Sequence, residues 1–393
     1  MSTSDFRASV LGATTTFPAS PATASARAEL AGRVLVVAGS DDPNAYPSLL
    51  VAANPALDLT GLVVGGAKWS LTMRSIRNAY PGMFLICDPP ESEKHFATKN
   101  DPFPYDEDPN ALALIAAPTL NERLDAQLHA GASIAMTPTG YIQAGDRDAL
   151  KAAITEASKL NRDDTVVVLP LAHQWLAGKD VTFLLAAINR SRHPLAISLG
   201  DASGNPMSHS GVLDGVRALA ASEAAPMFHK TDLGGLEAMS FGALASGIGV
   251  IASKRRASIP GTKGFAPRVT KGANVLLHDL ARFRRSLDMQ DQWYASINPP
   301  ACLCLVCKGR PIDRFGRSNA DRLEASKHNA LDIIRFAAEA RAAGGFQVYW
   351  PDRVNDAIAA HAALGTRIGT KVEPPKELKA WANRGTTSMP VHP

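Results

Sequence analysis

The chain has 393 residues, 46% of them hydrophobic and 20% charged, with a formal net charge of +4 and a pI near 8.8. That length admits one large α/β domain or two ordinary ones, so core size sets no limit. No apolar run approaches the roughly 20 residues of a membrane-spanning helix, which excludes that class and leaves a globular protein with no membrane partner; the mild positive balance does not by itself announce a nucleic-acid binder.

Residues 1–32 are rich in Ala, Ser and Thr and lack a positively charged start followed by an apolar block, so they read as a flexible tail rather than a signal peptide. Short β-branched or apolar runs bounded by turn residues then recur at 34–38, 62–65, 83–87, 133–136, 165–169, 195–199, 227–229 and 248–252. Amphipathic helical patterns follow several of them, at 148–160, 180–190, 211–222 and 233–246. Eight alternating units of this size predict a (β/α)8 TIM barrel over residues 33–373, with a doubly wound open sheet as the competing architecture. The βα rhythm stops after the eighth run, and residues 257–328 read as an insertion. The apolar stripe at 328–343 predicts a helix opening at His328, and the Pro-bearing residues 374–393 are expected to be loose.

A barrel presents its chemistry on the loops that follow the strands. The candidates at such positions are Asp41, Asp42, Asp88, Thr137, Thr139, His173, Gln174, Asp201, Asp232 and residues 253–256. The same residue types also cap helices and form turns, and Asp232 is well placed to cap a helix beginning at Leu233.

The four cysteines are Cys87, Cys302, Cys304 and Cys307, and the last three fall within six positions. This is a poor disulfide framework and a good metal clip, as expected of a protein in a reducing cytoplasm. Cys302, Cys304 and Cys307 form C-x-C-x-x-C, and His328 follows after 20 intervening residues. Three thiolates from one tight loop and an imidazole from elsewhere make a closed tetrahedral shell, so the expected cofactor is a structural Zn2+ ion. An iron–sulfur cluster would want a fourth cysteine, and Cys87 lies on a predicted strand far along the chain.

The cysteine motif followed by His328-Asn329, placed after an eighth strand and before a helix, resembles the tRNA-guanine transglycosylase superfamily. Its members are (β/α)8 barrels with a zinc subdomain between the last strand and the last helix. Weaker similarities run through residues 62–66, through 83–88, which end in Asp88 where the family has an acid/base aspartate, through 195–200, where a glycine-bearing strand contacts guanine, and through 246–256. A gap-free comparison puts Ala252 where the tRNA enzymes carry their nucleophilic aspartate, and Thr139 near the aspartate that recognises the base.

The resemblance implies a pentosyltransferase that exchanges guanine in nucleic acid for a 7-deazaguanine base. DNA is favoured over tRNA, because the strand-eight aspartate is missing and the chain leaves no room for an appended RNA-binding domain. Base exchange needs a nucleophile for the sugar C1′ and a proton donor for the departing purine, tasks suited to two carboxylates. Asp232 is the expected nucleophile and Asp88 the acid/base. Gly200, Asp201, Gln174 and Tyr141 are the expected substrate-binding residues for the flipped base. Lys254, Arg255, Arg256, Arg282, Arg284 and Arg285 would meet phosphates, with a homodimer or a partner subunit as further company. Two other readings compete: a catalytically silent barrel that binds nucleic acid or supports an active partner, motivated by Ala252 and Thr139, and an unrelated barrel enzyme such as a flavin-dependent monooxygenase, with Gly234-Gly235 at a phosphate.

Overall fold

The computed structural model describes residues 25–38, 43–53, 57–105, 117–202, 204–262 and 272–383. Asp41 and Asp42 lie outside them, as do residues 1–24 and 384–393 of the two expected tails. Eight parallel strands form one sheet: β1 (Val34–Val37), β2 (Thr60–Gly65), β3 (Leu85–Asp88), β4 (Ala135–Met136), β5 (Thr165–Ala172), β6 (Leu195–Gly200), β7 (Met227–Thr231) and β8 (Ser246–Gly249). Their order is β3-β2-β1-β8-β7-β6-β5-β4, and a parallel bridge between Ile86 and Ile134 joins the two outer strands, closing the sheet into a barrel.

Strands buried on both faces carry continuous apolar runs, and side-chain alternation sorts them into two cores. Leu35, Val37, Val63, Ile86, Met136, Val166 and Met227 fill the barrel interior. Val36, Leu62, Val64, Leu85, Leu169 and Ile197 face outward onto the helices. The helices are α1 (Ala26–Leu30), α2 (Pro47–Ala53), α3 (Trp69–Ala79), α4 (Leu120–His129), α5 (Arg147–Ser158), α6 (Asp180–Ile188), α7 (Val212–Ala220), α8 (Gly234–Met239), α9 (Ser286–Gln292), α10 (Asn319–Ala342), α11 (Phe346–Ile368) and α12 (Lys376–Ala382). No described helix is long and apolar enough to cross a membrane.

Several expectations shift. Residues 25–32 are not part of a loose tail: α1 packs Ala26 and Leu30 against the interior core, and the Ala26 amide donates to the Asp163 carbonyl at 2.7 Å. The helix expected over 233–246 stops at Met239, because Gly242 turns the chain at φ +106° and Ser246 already pairs with Val34 in the sheet. Strand β8 ends at Gly249 rather than at 252, and Ala252 sits in a short 3-10 turn, Ala252–Lys254. Residues 376–382 form α12, whose Leu378 and Trp381 are buried, so the C-terminal segment is docked where it was expected to be loose.

Between β8 and α10 lie two small antiparallel hairpins, β9 (Asn274–Leu277) with β10 (Arg282–Arg285) and β11 (Ala301–Cys302) with β12 (Arg310–Pro311), together with α9. Helix α10 starts at Asn319, capped by Ser318 and Asp321 in a reciprocal box, so His328 lies well inside the helix instead of opening it.

Candidate functional site

The cysteine loop curls because Lys308 and Gly309 both take positive φ, 51° and 82°, which turns β11 back into β12. The Cys307 amide points at Cys304 Sγ (3.3 Å), an arrangement that aims the sulfurs to one side. Cys302, Cys304 and Cys307 then place their Sγ atoms 3.6, 3.5 and 3.6 Å from His328 Nδ1. Tetrahedral zinc with Zn–S of about 2.3 Å and Zn–N of about 2.0 Å separates sulfur from nitrogen by about 3.5 Å. The Cys3His cluster therefore has the dimensions of a zinc shell, and four protein ligands give the ion a structural task.

The surroundings support that reading. His328 Nε2 donates to the Leu276 carbonyl at 2.8 Å and lies 3.3 Å from Asp332, which leaves Nδ1 bare toward the sulfurs. Arg314 reaches Cys307 Sγ at 3.2 Å, a cation facing the thiolate. Next along the helix, the fully buried Asn329 donates to the Val250 and Asn274 carbonyls (2.9 and 2.8 Å) and accepts from the Leu276 amide (2.7 Å). One helical turn thus holds the metal loop, β9 and the end of β8 together.

At the C-terminal mouth of the barrel, Asp88 closes β3 in a buried charge cluster. His229 Nε2 is 3.2 Å from Asp88 Oδ1, Lys230 Nζ 2.8 Å from Oδ2, and Lys254 Nζ 3.9 Å from Oδ2; Lys230 and Lys254 both reach Glu93 (3.3 and 3.5 Å). Successive strand residues face opposite ways, so His229 and Lys230 meet one carboxylate only because the β7–β8 register shifts between Phe228 and Thr231 and Lys230 adopts φ 51°. Burial disfavours the Asp88 anion, but Lys230, His229 and Lys254 outweigh it and hold the carboxyl far below the usual range. Lys230 is driven the other way by Asp88 and Glu93 against its own burial, and stays protonated. Asp88, expected as the acid/base, is engaged by His229, Lys230 and Lys254, and it does not line the cavity beside it.

That cavity, about 810 Å³, is bounded by the loops after β6, β7 and β8, by β10 and by α12. Asp232 projects into it from the end of β7. Asp232 Oδ1 accepts from the Gly234 amide (2.8 Å) and Oδ2 from Asn205 Nδ2 (2.7 Å), and the same Asn205 nitrogen reaches Glu377 Oε1 of α12 at 3.3 Å. Burial and the neighbouring Glu377 raise the Asp232 carboxyl above its ordinary range. Asp232 both caps α8 and faces the cavity. It also occupies the Gly234 amide that a flavin phosphate would need, and a Cβ at Gly235 would fall 1.9 Å from Ser246 Oγ, so this glycine pair serves helix-to-strand packing.

Of the other expected substrate contacts, Asp201 lines the cavity, with Oδ2 held by His209 Nε2 at 2.9 Å. Gly200 is shielded behind Tyr141, whose ring would touch any Cβ there, and the exposed Gln174 is outside the lining. Thr139 is buried and exchanges its hydroxyl with Thr137 (2.8 Å), a packing pair rather than a base reader. Ala252 does line the cavity, without a carboxylate. Among the basic residues, Arg255, Arg256 and Arg282 face the cavity. Arg255 stacks 3.2 Å from the Phe283 ring centroid, and burial lowers it to about 9. Lys254 is spent on Asp88 and Glu93, while Arg284 and Arg285 lie outside the lining.

The sequence reading overlooked Glu93, Asn205, His209, Lys230 and Glu377. None carries a local signal: Lys230 depends on a bulge, and Glu377 on a helix returning from more than 140 residues beyond β7. No known protein family matches the chain, and no curated protein matches it either; what the geometry does establish is a TIM barrel with a Cys3His metal site in an insertion after its eighth strand.

Proposed function

We propose that the protein is a pentosyltransferase that exchanges guanine in nucleic acid, DNA in preference to tRNA, for a 7-deazaguanine base. The observation that carries this reading is the carboxylate pair Asp232 and Glu377, bridged by Asn205 in a cavity walled by Arg255, Arg256 and Arg282. A zinc-bearing insertion at the position used by the tRNA-guanine transglycosylase superfamily supports it. The lack of a carboxylate at Ala252 favours the DNA-modifying branch over the tRNA enzymes.

The pair divides the labour in a way the resemblance alone did not suggest. Asp232, its carboxyl raised by burial and by Glu377, suits the acid; Glu377, on the more open side, suits the nucleophile. Glu377 attacks C1′ as the bond to N9 of guanine breaks, and the departing purine takes the Asp232 proton. The incoming base then returns a proton to Asp232 from N9 and displaces Glu377 from C1′. The arginines meet the flanking phosphates without reading sequence.

Incubating the purified chain with labelled guanine or 7-cyano-7-deazaguanine and either duplex DNA or tRNA tests the reading. Incorporation into DNA is expected, reduced about 100-fold or more by Asp232→Asn and by Glu377→Gln. Absence of incorporation with every substrate would instead favour the silent barrel that Ala252 suggests.

A further inference from the structure

We infer that a second metal site, separate from the Cys3His cluster, lies at the barrel mouth on His173, Asp201 and His209. It takes a first-row divalent transition-metal ion. This inference does not depend on base exchange, although Asp201 is also among the expected contacts of the base.

Two loops deliver the three ligands. His173 begins the turn after β5, Asp201 follows the last residue of β6, and His209 lies farther along the β6–α7 connection. One ligand atom from each lies within 4.8 Å of the other two. A shell with metal–nitrogen and metal–oxygen bonds of about 2.0–2.1 Å separates ligand atoms by about 3.3 Å. His209 Nε2 and Asp201 Oδ2 are hydrogen-bonded at 2.9 Å, so an ion would displace the proton between them, and the remaining approach is a matter of side-chain rotation.

His173 is oriented as a metal ligand is. His173 Nδ1 faces the Gly200 carbonyl at 3.3 Å; a proton there leaves Nε2 bare, the same arrangement by which the Leu276 carbonyl orients His328. The His173 and His209 rings stack at 3.9 Å with an angle of 11°, so one ring must turn out of the stack for both in-plane lone pairs to converge on one ion. Two imidazoles and one carboxylate leave coordination positions open. Asp201 borders the 810 Å³ cavity and His209 a neighbouring one of about 530 Å³, so those positions face space that water or an anionic oxygen can enter. A set of this kind suits zinc, iron(II), cobalt or nickel rather than magnesium or calcium.

Equilibrium dialysis of the full chain against low-micromolar Zn2+, followed by elemental analysis, reads the stoichiometry. Two equivalents per chain are expected, falling to one in His173→Gln and in His209→Gln. Cobalt substitution distinguishes the sites: the Cys3His ion shows intense sulfur-to-metal charge transfer in wild type and both variants, whereas the second ion adds only weak ligand-field bands, lost in the variants. A wild-type chain that holds a single equivalent overturns the proposal, as does a second equivalent that survives both substitutions. The first outcome is read on the unaltered protein, so a variant that fails to fold cannot rescue the idea.

Discussion

His328 and Asn329 show how adjacent residues divide two structural tasks. His328→Ala removes the ligand common to three sulfurs, and zinc content measured by elemental analysis should fall by about one equivalent relative to wild type while the mouth carboxylates keep their geometry. Asn329→Ala keeps the metal shell but strips three hydrogen bonds from a site with no exposure. A loss on the order of 3 kcal/mol is expected in denaturant unfolding. Asp88 offers a contrast, since its charge is compensated rather than hydrated. Asp88→Asn leaves Lys230 buried without its nearest anion, and a loss of about 3–5 kcal/mol should follow. The pH dependence has a definite sign. Because the folded Asp88 carboxyl is depressed, its contribution is complete above the unfolded value of about 3.9 and is lost as pH falls below it. Acid unfolding curves should therefore be steeper below about pH 4 for wild type than for Asp88→Asn.

At the scale of elements, α12 is a short helix doing what a loose terminus could not. Trp381 packs against Trp350 with ring centroids 5.7 Å apart, and Arg217 donates to the Ala380 and Asn383 carbonyls while paired to the buried Glu237. This anchoring brings Glu377 to Asp232. Trp381→Ala should cost about 3–5 kcal/mol, and it should depress base exchange more than Trp350-distant core truncations of equal cost, because it releases Glu377; comparing exchange rates at matched stability checks this. The strand β7 bulge is the other decisive element. A regular strand would point His229 and Lys230 to opposite faces, so the mouth cluster depends on the left-handed Lys230.

At the scale of the whole molecule, the metal loop, β9, β10 and α9 form a unit packed against α10, whose other face (Ala330, Ile333, Ile334, Phe336, Ala337) belongs to the barrel's outer core. Its core of Val275, Met289, Trp293, Cys307 and Phe315 is separate from the barrel interior. Removing zinc with a chelator should raise amide exchange across residues 272–318 while leaving the barrel strands protected, measured by hydrogen–deuterium exchange. Charge is likewise a property of the assembled mouth. Arg256 and Arg282 come from different segments to one cavity, so Arg256→Ala and Arg282→Ala should each weaken the proposed DNA binding across sequences. Each should also reduce the slope of log affinity against log salt by about 1.

Periodicity and cysteine spacing pointed to the barrel and the metal ligands, and closure between the two outer strands decided the barrel over an open sheet. Parallel strands need apolar runs, and three thiolates on one tight loop are contiguous in the chain, so both leave local marks. The mouth left few. Asp88 was legible as a strand-end carboxylate, but its role was not, because Lys230, His229 and Lys254 reach it only through a bulge and a distant loop. Asp232 was legible too, while its partner Glu377 lay in a segment whose prolines suggested a loose end. His173 follows β5 while Asp201 and His209 follow β6, so the three meet only when β5 and β6 pair. Chemistry carried by neighbours in sequence was visible in the chain; chemistry assembled from separate strands was decided by closure of the barrel and docking of α12, since only those events bring the charges within each other's field.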